Sequence, residues 1–330
     1  MVFPSVLPES RVPDPASAPP LDWGVLAPGW IAHQFAAALR AATRQRVVAV
    51  GSRSLPRARA FAEQFEVPGV HASYEALVAD PAVQAVYVAS PHSEHAAHAL
   101  LAIEAGKHVL VEKAFTRNAR EARRVVDAAR AAGVALMEAM WTRFLPHTDI
   151  VRQLLADGIL GTLELVVADH GQRLDADVVP RLHDPQLAGG ALLDLGVYPV
   201  SFASFVLGTP RALLASGSLT PSGVDRQVSA VLTRYDDHPD AQALVSTTLA
   251  ASTPVTATIS GTDARIELDG QFYTPNRVRL VGRAGELVAS GPPSLTGHFG
   301  LAYEAAHFAQ LVADGFTESP VLPLEETLAV

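Results

Sequence analysis

Between Leu21 and Met137 the sequence alternates short runs of β-branched residues with longer alanine-rich segments. The short runs have the length of buried strands, and the alanine-rich segments have the length and composition of helices. Gly106 and Gly133 follow two of these segments, where a helix commonly ends in a left-handed glycine. Because crossover helices join parallel strands, this alternation predicts a doubly wound parallel sheet.

After about Phe144 the pattern changes to alternating strands joined by turn-rich pieces, which predicts a largely antiparallel open sheet in an α+β domain. The fold class is therefore α/β, with three parts expected: a proline-rich arm over 1–21, a Rossmann domain over 22–143 and an α+β substrate and oligomerisation domain over 144–330. The predicted strands are 22–27, 47–51, 85–89, 108–111, 134–137, 163–169, 226–235, 243–249, 256–260 and 264–268. The predicted helices are 30–42, 56–65, 94–105, 118–132, one that ends at Asp157, and 190–207.

The length and composition of the chain restrict which classes of function are possible. At 330 residues the chain exceeds the roughly 250 residues at which a single core stops growing. A net charge of −9 argues against nucleic acid as a partner, since that needs clustered Lys and Arg. Without cysteine there is no thiolate chemistry, and a cytoplasmic location is expected. No metal site is expected, because the histidines lack ligand spacing, and no membrane span is predicted.

The first strand leads through a short turn directly into a helix, the position of a dinucleotide-binding turn. In the G-x-G-x-x-G/A fingerprint, glycines allow a tight turn and close approach of the backbone to a pyrophosphate. Here Ala27 takes the first glycine position, Gly29 the second and Ala32 the third, with Trp30 and Ile31 between the last two. The pattern favours a cofactor site, although a structural turn has much the same sequence.

Ser52 and Arg53 follow the second strand, where an NAD-selective site usually offers a carboxylate to the ribose 2′-hydroxyl. A hydroxyl beside an arginine suits a 2′-phosphate instead, with Arg57 nearby. NADP(H) is therefore the preferred cofactor and NAD(H) a possible one. The alternative is that both arginines are only solvated surface residues.

Polar residues also follow the next two strands at the same edge of the sheet. Ser90, His92 and His95 lie in a loop before a helix, and Glu112 and Lys113 end the following strand. Ligands of doubly wound folds bind at this edge, so these residues are candidate cofactor contacts. The alternatives are helix caps for the histidines and a surface lysine for Lys113.

In the second half, Asp194 and Tyr198 are four residues apart, and on a helix they share a face. A tyrosine near a lysine is a plausible proton donor and acceptor, since the ammonium lowers the pKa of the phenol. A packed core helix with a capped Asp194 is the structural alternative.

Together, Ala27 to Ala32, Glu112-Lys113, Glu138 to Phe144 and Asp194 to Tyr198 resemble the glucose-fructose oxidoreductase, inositol dehydrogenase and rhizopine-catabolism (Gfo/Idh/MocA) family. The resemblance covers nearly the whole chain from Leu21. Tyr198 in place of the His of many members is similar to the branch of dimeric dihydrodiol dehydrogenase and NADP-dependent D-xylose dehydrogenase. Ala27 replaces the usual glycine, and the usual proline after Glu-Lys is Ala114.

The resemblance implies an NAD(P)-dependent oxidoreductase that moves a hydride between nicotinamide and a hydroxyl or carbonyl carbon of a sugar, polyol or dihydrodiol. It implies Lys113 and Tyr198 as catalytic residues, with Asp194 orienting the substrate or the lysine, and Trp141 and Arg143 lining the cofactor pocket. It also implies a homodimer, or a higher homo-oligomer, built on the open sheet.

Two other functions stay open. The same fold serves a yeast galactose-pathway repressor that binds dinucleotide without needing to turn over substrate, although the intact Lys113, Asp194 and Tyr198 argue against that role here. A sugar-sugar oxidoreductase or NAD-dependent glycosidase holds its cofactor tightly, so retention of cofactor through purification would favour such an enzyme. The substrate and the direction of the reaction depend on loop packing, which the sequence leaves open.

Overall fold

The computed structural model describes residues 3–330, which divide into two compact units. Residues 13–144 and 297–329 form the parallel-sheet unit, and residues 3–12 and 145–296 with Val330 form the mixed-sheet unit. The division after Phe144 lies one residue from the boundary expected from the sequence. Residues 297–329 differ from the expectation, because they pack in the parallel-sheet unit rather than with the second domain.

The parallel-sheet unit is built from alternating strands and helices. Its strands are Asp22–Leu26 (β1), Arg46–Gly51 (β2), Gly69–His71 (β3), Ala85–Val88 (β4), His108–Glu112 (β5) and Leu136–Ala139 (β6). Its helices up to residue 144 are Trp30–Ala42 (α1), Leu55–Phe65 (α2), Tyr74–Val78 (α3), His95–Glu104 (α4) and Ala119–Ala132 (α5). The predicted alternation is confirmed, and α1 has the predicted bounds.

All six strands pair in parallel, in the order β3-β2-β1-β4-β5-β6. The strand order reverses between β1 and β4, and ligands of doubly wound sheets bind beyond the carboxyl ends of the strands at such a point. The sequence reading missed β3 and α3 because three and five residues are too few to show a period. The sheet therefore presents the ends of β1, β2, β4 and β5 at one edge.

The mixed-sheet unit contains two helices, Pro146–Ala156 (α6) and Val197–Leu207 (α7), and eight strands. The strands are Leu163–Gly171 (β7), Ala212–Leu219 (β8), Asp225–Thr233 (β9), Gln242–Thr248 (β10), Ala257–Gly261 (β11), Ala264–Leu268 (β12), Val278–Gly282 (β13) and Leu287–Ala289 (β14). They form one sheet in the order β14-β13-β12-β11-β7-β10-β9-β8. Among the described residues of this sheet, only the β7–β10 pair is parallel, which confirms the largely antiparallel prediction.

The long apolar helix predicted over 190–207 is interrupted. Leu192–Gly196 form a π-helical turn, and regular α-helix begins only at Val197. The Thr247 hydroxyl donates to the carbonyl oxygen of Ala191 at 3.3 Å, and a side chain inserted in this way disturbs the helical hydrogen-bond ladder. Asp194 therefore lies in the π-helical turn and Tyr198 in α7.

Gly190 shows why glycine precedes this segment. Its φ of +118° is rarely adopted by other residues, and a Cβ at this position would lie 2.0 Å from the Asp225 carboxylate.

The helical segment Pro185–Leu207 is long and apolar enough to cross a membrane, with a mean hydropathy of 1.6. However, 72% of its apolar 18-residue stretch is buried inside the protein, as in a core helix.

The last two helices, Leu301–Ala313 (α8) and Leu324–Ala329 (α9), belong to the parallel-sheet unit. Leu324 is 1% exposed within the core cluster that contains Val109 and Leu136. The Leu136 amide donates to the Thr317 carbonyl at 3.0 Å. These contacts join residues more than 180 positions apart, so no local sequence pattern could have predicted the assignment.

The proline-rich segment has little regular structure apart from a short 3-10 turn at Pro15–Ser17. In the mixed-sheet unit, Arg11 donates from its backbone and its guanidinium to Asp149, each at 2.8 Å. In the parallel-sheet unit, the Arg44 guanidinium donates to the carbonyl oxygens of Ser17 and Ala18. The arm is therefore tied down by hydrogen bonds rather than by helices or strands. Met1 and Val2 lie outside the described residues.

Candidate active site

The turn after β1 has the conformation that a dinucleotide fingerprint requires. Ala27 adopts a φ of +68°, its amide donates to the Gly51 carbonyl at 3.0 Å, and its own carbonyl accepts from Gly29 at 2.8 Å. This left-handed conformation explains why glycine is usual at the first fingerprint position, since a Cβ makes it costly. Ala27 therefore keeps the geometry of the turn, and its Cβ makes the backbone locally strained.

The N-terminus of α1 fits an anionic group. Gly29 is the N-cap and provides no side-chain hydrogen bond, and the first turn contains no acidic residue. The first amide groups of a helix have no intrahelical partner and attract anions. Trp30 and Ile31 begin this thirteen-residue helix, so their surroundings suit the pyrophosphate of a dinucleotide.

The residues predicted to read the ribose follow β2. Ser52 is buried and its hydroxyl accepts from the Ser54 amide at 3.1 Å. Arg53 and Arg57 are exposed, and neither forms an ion pair with any of residues 3–330. Two exposed guanidinium groups therefore follow β2 in the segment where the sequence predicts the ribose contacts.

The histidines after β4 are hydrogen-bonded to groups of the same loop and of the segment after β5. Both ring nitrogens of His95 lie 2.8 Å from backbone carbonyl oxygens, those of Ala114 and Ser90. His95 is fully buried, and burial lowers its pKa to about 3, so the neutral ring donates to one of these carbonyls. His92 is also buried, and the Ser90 hydroxyl lies 2.9 Å from His98 Nδ1. His95 therefore links this loop to the segment after Lys113.

The backbone around Lys113 is held by buried side chains. The Lys113 amide donates to Glu112 Oε2 at 3.1 Å, and Glu112 Oε1 accepts from the Tyr87 hydroxyl. One residue later, Ala114 offers its carbonyl to His95, and the Phe115 amide donates to Glu138 Oε1 at 3.2 Å. The Lys113–Ala114 peptide bond is cis. Lys113 thus lies at the carboxyl end of β5 on a backbone with little freedom.

Three buried glutamates lie behind this segment: Glu112, Glu138 and Glu304. Burial raises the pKa of Glu138 to about 7, although hydrogen bonds from Thr327 and Phe115 oppose the shift. Burial, reinforced by the charges of the other two carboxyls, raises the pKa of Glu304 well above its usual value. Neither oxygen of Glu304 has a hydrogen-bond partner within the described chain. Burial therefore favours the protonated form of Glu304.

Trp141 and Arg143 occupy a buried 3-10 turn after β6. The Trp141 ring stacks on His298, with centroids 5.5 Å apart and planes at 11°, and the exposed Trp30 meets the edge of the same imidazole at 4.9 Å. Burial and the charge of Lys113 lower the pKa of His298. Arg143 pairs with Glu326 of α9. The Arg143 guanidinium therefore forms an ion pair with helix α9.

In the mixed-sheet unit, Asp194 and Tyr198 are both buried. Arg181 Nη2 donates to Asp194 Oδ1 at 3.0 Å, and the arginine side chain is about half exposed. The carboxylate is therefore oriented by a guanidinium.

Tyr198 belongs to a stack of three rings that all contact one another. The Tyr273 centroid lies 4.4 Å from that of Tyr198 and 4.5 Å from that of His170, with planes at 29° and 25°. The His170 and Tyr198 centroids are 5.4 Å apart, so the three rings form a triangle. The Gln172 amide nitrogen lies 2.9 Å from His170 Nε2 and 3.4 Å from the Tyr273 hydroxyl. Contacts with two neighbouring rings restrict the plane of the Tyr198 ring.

Sequence reasoning missed several residues of these surroundings: His170, Gln172, Arg181, Tyr273, Glu304 and His298. His170 and Gln172 had a usable signal, because polar residues at the carboxyl end of a strand often serve a site. The others had none, since each depends on contacts between segments far apart in the chain.

Comparison with known proteins gives matches over most of the chain. The model of an oxidoreductase family with an NAD-binding Rossmann fold matches residues 21–140, and the model of the GFO/IDH/MocA C-terminal domain matches residues 149–267. The trans-1,2-dihydrobenzene-1,2-diol dehydrogenases of Macaca fascicularis and Homo sapiens are each 38% identical over 314 residues, which cover 93% of this chain and 92% of each relative.

Solved structures agree. Aldose-aldose oxidoreductase from Caulobacter crescentus shares the fold at a TM-score of 0.83 and 24% identity, and the match covers 94% of both chains. KijD10, a 3-ketoreductase from Actinomadura kijaniata in complex with NADP and TDP-benzene, gives a TM-score of 0.80 at 27% identity with the same coverage. The predicted resemblance, including its dihydrodiol dehydrogenase branch, is confirmed. The chain belongs to the Gfo/Idh/MocA family of NAD(P)-binding oxidoreductases.

Proposed function

We propose that this enzyme uses NADP(H) to interconvert a hydroxyl and a carbonyl carbon of a cyclic diol or aldose. One observation carries the proposal: a chain 38% identical to dihydrodiol dehydrogenases over 93% of its length contains Lys113, Asp194 and Tyr198, which the family resemblance implies as site residues. A regulator that only binds dinucleotide has no need of these three residues.

The residues of the parallel-sheet unit suit the cofactor in separate ways. The amides at the start of α1 would bind the pyrophosphate, next to Ala27, Gly29, Trp30 and Ile31. Ser52, Arg53 and Arg57 would bind the adenosine ribose and its 2′-phosphate. The nicotinamide, when bound, supplies or accepts the hydride. The remaining proposed contacts at this edge are Ser90, His92, His95, Glu112, Lys113, Trp141 and Arg143.

Three side chains would handle the substrate. Tyr198 exchanges the proton of the substrate hydroxyl through its phenolic oxygen, in a ring plane set by Tyr273. Lys113 stabilises negative charge on the reacting oxygen with its ammonium group. Asp194, oriented by Arg181, accepts a hydrogen bond from a second substrate hydroxyl, which favours diols over simple alcohols.

An absorbance screen tests this proposal. NADP and NAD would each be combined with trans-dihydrodiols, aldoses and cyclitols, and formation of reduced cofactor would be followed at its absorption band. We expect turnover with a member of the first two classes. Binding of cofactor with no turnover in either direction would contradict the enzyme assignment and favour a regulator. Protein purified with cofactor already bound, and active only between two sugars, would favour a sugar-sugar oxidoreductase.

Arg53→Ala should weaken NADP(H) binding by about 10-fold or more and leave NAD(H) nearly unchanged, because a charge-assisted bond to a phosphate contributes about 1.5 to 3 kcal/mol. The measurement is a fluorescence titration with both cofactors. Arg59→Ala is the matched control, because Arg59 is also exposed and lies in helix α2, which directly follows the Arg53 segment. Equal weakening of both cofactors, or a preference of the unaltered protein for NAD(H), would contradict the 2′-phosphate assignment.

We also propose that the enzyme is a homodimer formed through one face of the mixed sheet. The strand registers align Val167, Leu244, Val231 and Leu214 in one row across β7, β10, β9 and β8. Leu214 is 76% exposed, and Val167 and Leu244 are about 40% exposed. A continuous apolar row on an open sheet face is characteristic of an interface. A second copy of this chain, related by a twofold axis, would cover this row.

Leu214→Asp should convert the dimer to a monomer at micromolar concentration, because it places a charge at the most exposed position of this apolar row. Light scattering would show a mass near 34.8 kDa instead of twice that value. Leu213→Asp is the control, since Leu213 lies on the same strand, is 63% exposed and pairs with Leu232 of the other face. A monomeric unaltered protein would rule out the dimer.

A further inference from the structure

The backbone that carries Lys113 is linked to the last helix of the chain through one carboxylate. Glu138 accepts the Phe115 amide at 3.2 Å with Oε1 and the Thr327 hydroxyl at 3.1 Å with Oε2. Glu138 and Thr327 are 4% and 7% exposed, so water does not compete for these bonds. A hydrogen bond from α9 thus fixes the carboxylate that holds the segment after Lys113.

Helix α9 is itself well anchored. Leu324 is 1% exposed in the core, Glu325 pairs with Arg130 at 2.9 Å, and Glu326 pairs with the buried Arg143. A six-residue helix is not stable by itself, so these contacts hold it in place. Thr327 therefore has a fixed position from which to donate, and its bond can orient the Glu138 carboxylate.

We propose that Thr327 is a positioning residue for Lys113 and acts through Glu138. The proposal rests on the catalytic role proposed above for Lys113. Three consecutive residues, Lys113, Ala114 and Phe115, each form a backbone hydrogen bond to a buried side chain, and the Glu138 link is oriented by the C-terminal helix. Rotation of Glu138 would release Phe115 and let the base of the Lys113 side chain shift. A displacement below 1 Å is enough to slow a reaction strongly.

Thr327→Val tests the proposal, because valine keeps the shape of threonine and removes only the hydroxyl. We expect kcat to fall by about 10-fold while the Kd for NADP(H) changes by less than about twofold, since the α1 amides are untouched. Thr327→Ser retains the hydroxyl and should restore kcat to within about twofold of the unaltered enzyme.

Thr43→Val is the matched control for stability alone. The Thr43 hydroxyl donates to the Leu39 carbonyl at 2.8 Å at the C-terminal end of α1, in the same unit but remote from Lys113. This variant should lose stability and keep kcat. If Lys113→Met strongly lowers kcat, a normal kcat in Thr327→Val would overturn the inference. A kcat of Thr327→Ser as low as that of Thr327→Val would also overturn it. Normal kcat in Lys113→Met would instead overturn the proposed function.

Discussion

Tyr198→Phe should lower kcat by about 100-fold or more and leave the affinity for NADP(H) nearly constant. The substitution removes one oxygen and keeps the ring, which stacks on Tyr273 at 4.4 Å. A tyrosine with a purely structural role would lose only a hydrogen bond, on the order of 1 kcal/mol of stability. Steady-state kinetics on the best substrate of the screen, together with cofactor titration, separates the two roles.

Tyr235→Phe is the matched control. Tyr235 is also buried in the mixed-sheet unit, and its hydroxyl has no hydrogen-bond partner within the described chain. Burial raises its pKa to about 12, so it is a poor acid or base. We expect this variant to keep full activity and equal or higher stability, because it removes a buried unsatisfied group.

Lys113→Met should also impair turnover, and the combined loss in the double variant should be smaller than the product of the single losses if the two residues act as a unit. An unchanged kcat in Tyr198→Phe would defeat this mechanism and move proton transfer to Lys113 or a histidine such as His92.

Glu304→Gln should stabilise the parallel-sheet unit increasingly as the pH rises. Glutamine stays neutral, whereas burial and the charges of Glu112 and Glu138 raise the pKa of Glu304 in the folded protein. Above the ordinary carboxyl pKa of 4.5 the unfolded chain releases this proton and the folded protein does not. The unaltered protein therefore loses stability with rising pH, until the pH passes the raised pKa of the folded state.

The expected gain of the variant over the unaltered protein is about 1.4 kcal/mol for each pH unit in that window. Urea unfolding at pH 5, 6 and 7, followed by tryptophan fluorescence, measures it, because Trp23, Trp30 and Trp141 are the three tryptophans of the chain and all lie in this unit. Glu104→Gln, at an exposed position on α4, is the control and should show no such gain. A pH-independent difference for Glu304→Gln would mean that Glu304 is ionised in the folded protein.

The sequence alone determined the parallel-sheet unit up to residue 144. Apart from the short β3 and α3, its strands and helices follow from a local period and local end signals, such as the glycine at 133 that caps α5 in the left-handed conformation. The same local reasoning located Gly29 at the start of α1 and the positive charge after β2. The order of motifs along the chain identified the family, because each motif is defined within a few residues.

Only the tertiary structure decided the surroundings of the candidate catalytic residues. The stack of His170, Tyr273 and Tyr198 joins positions up to 103 apart, and Thr327 reaches Glu138 across 189 positions. The π-helical turn at Leu192–Gly196 depends on Thr247 from another strand. Local periodicity contains no information about such contacts, because they arise from the packing of segments that are remote in the chain.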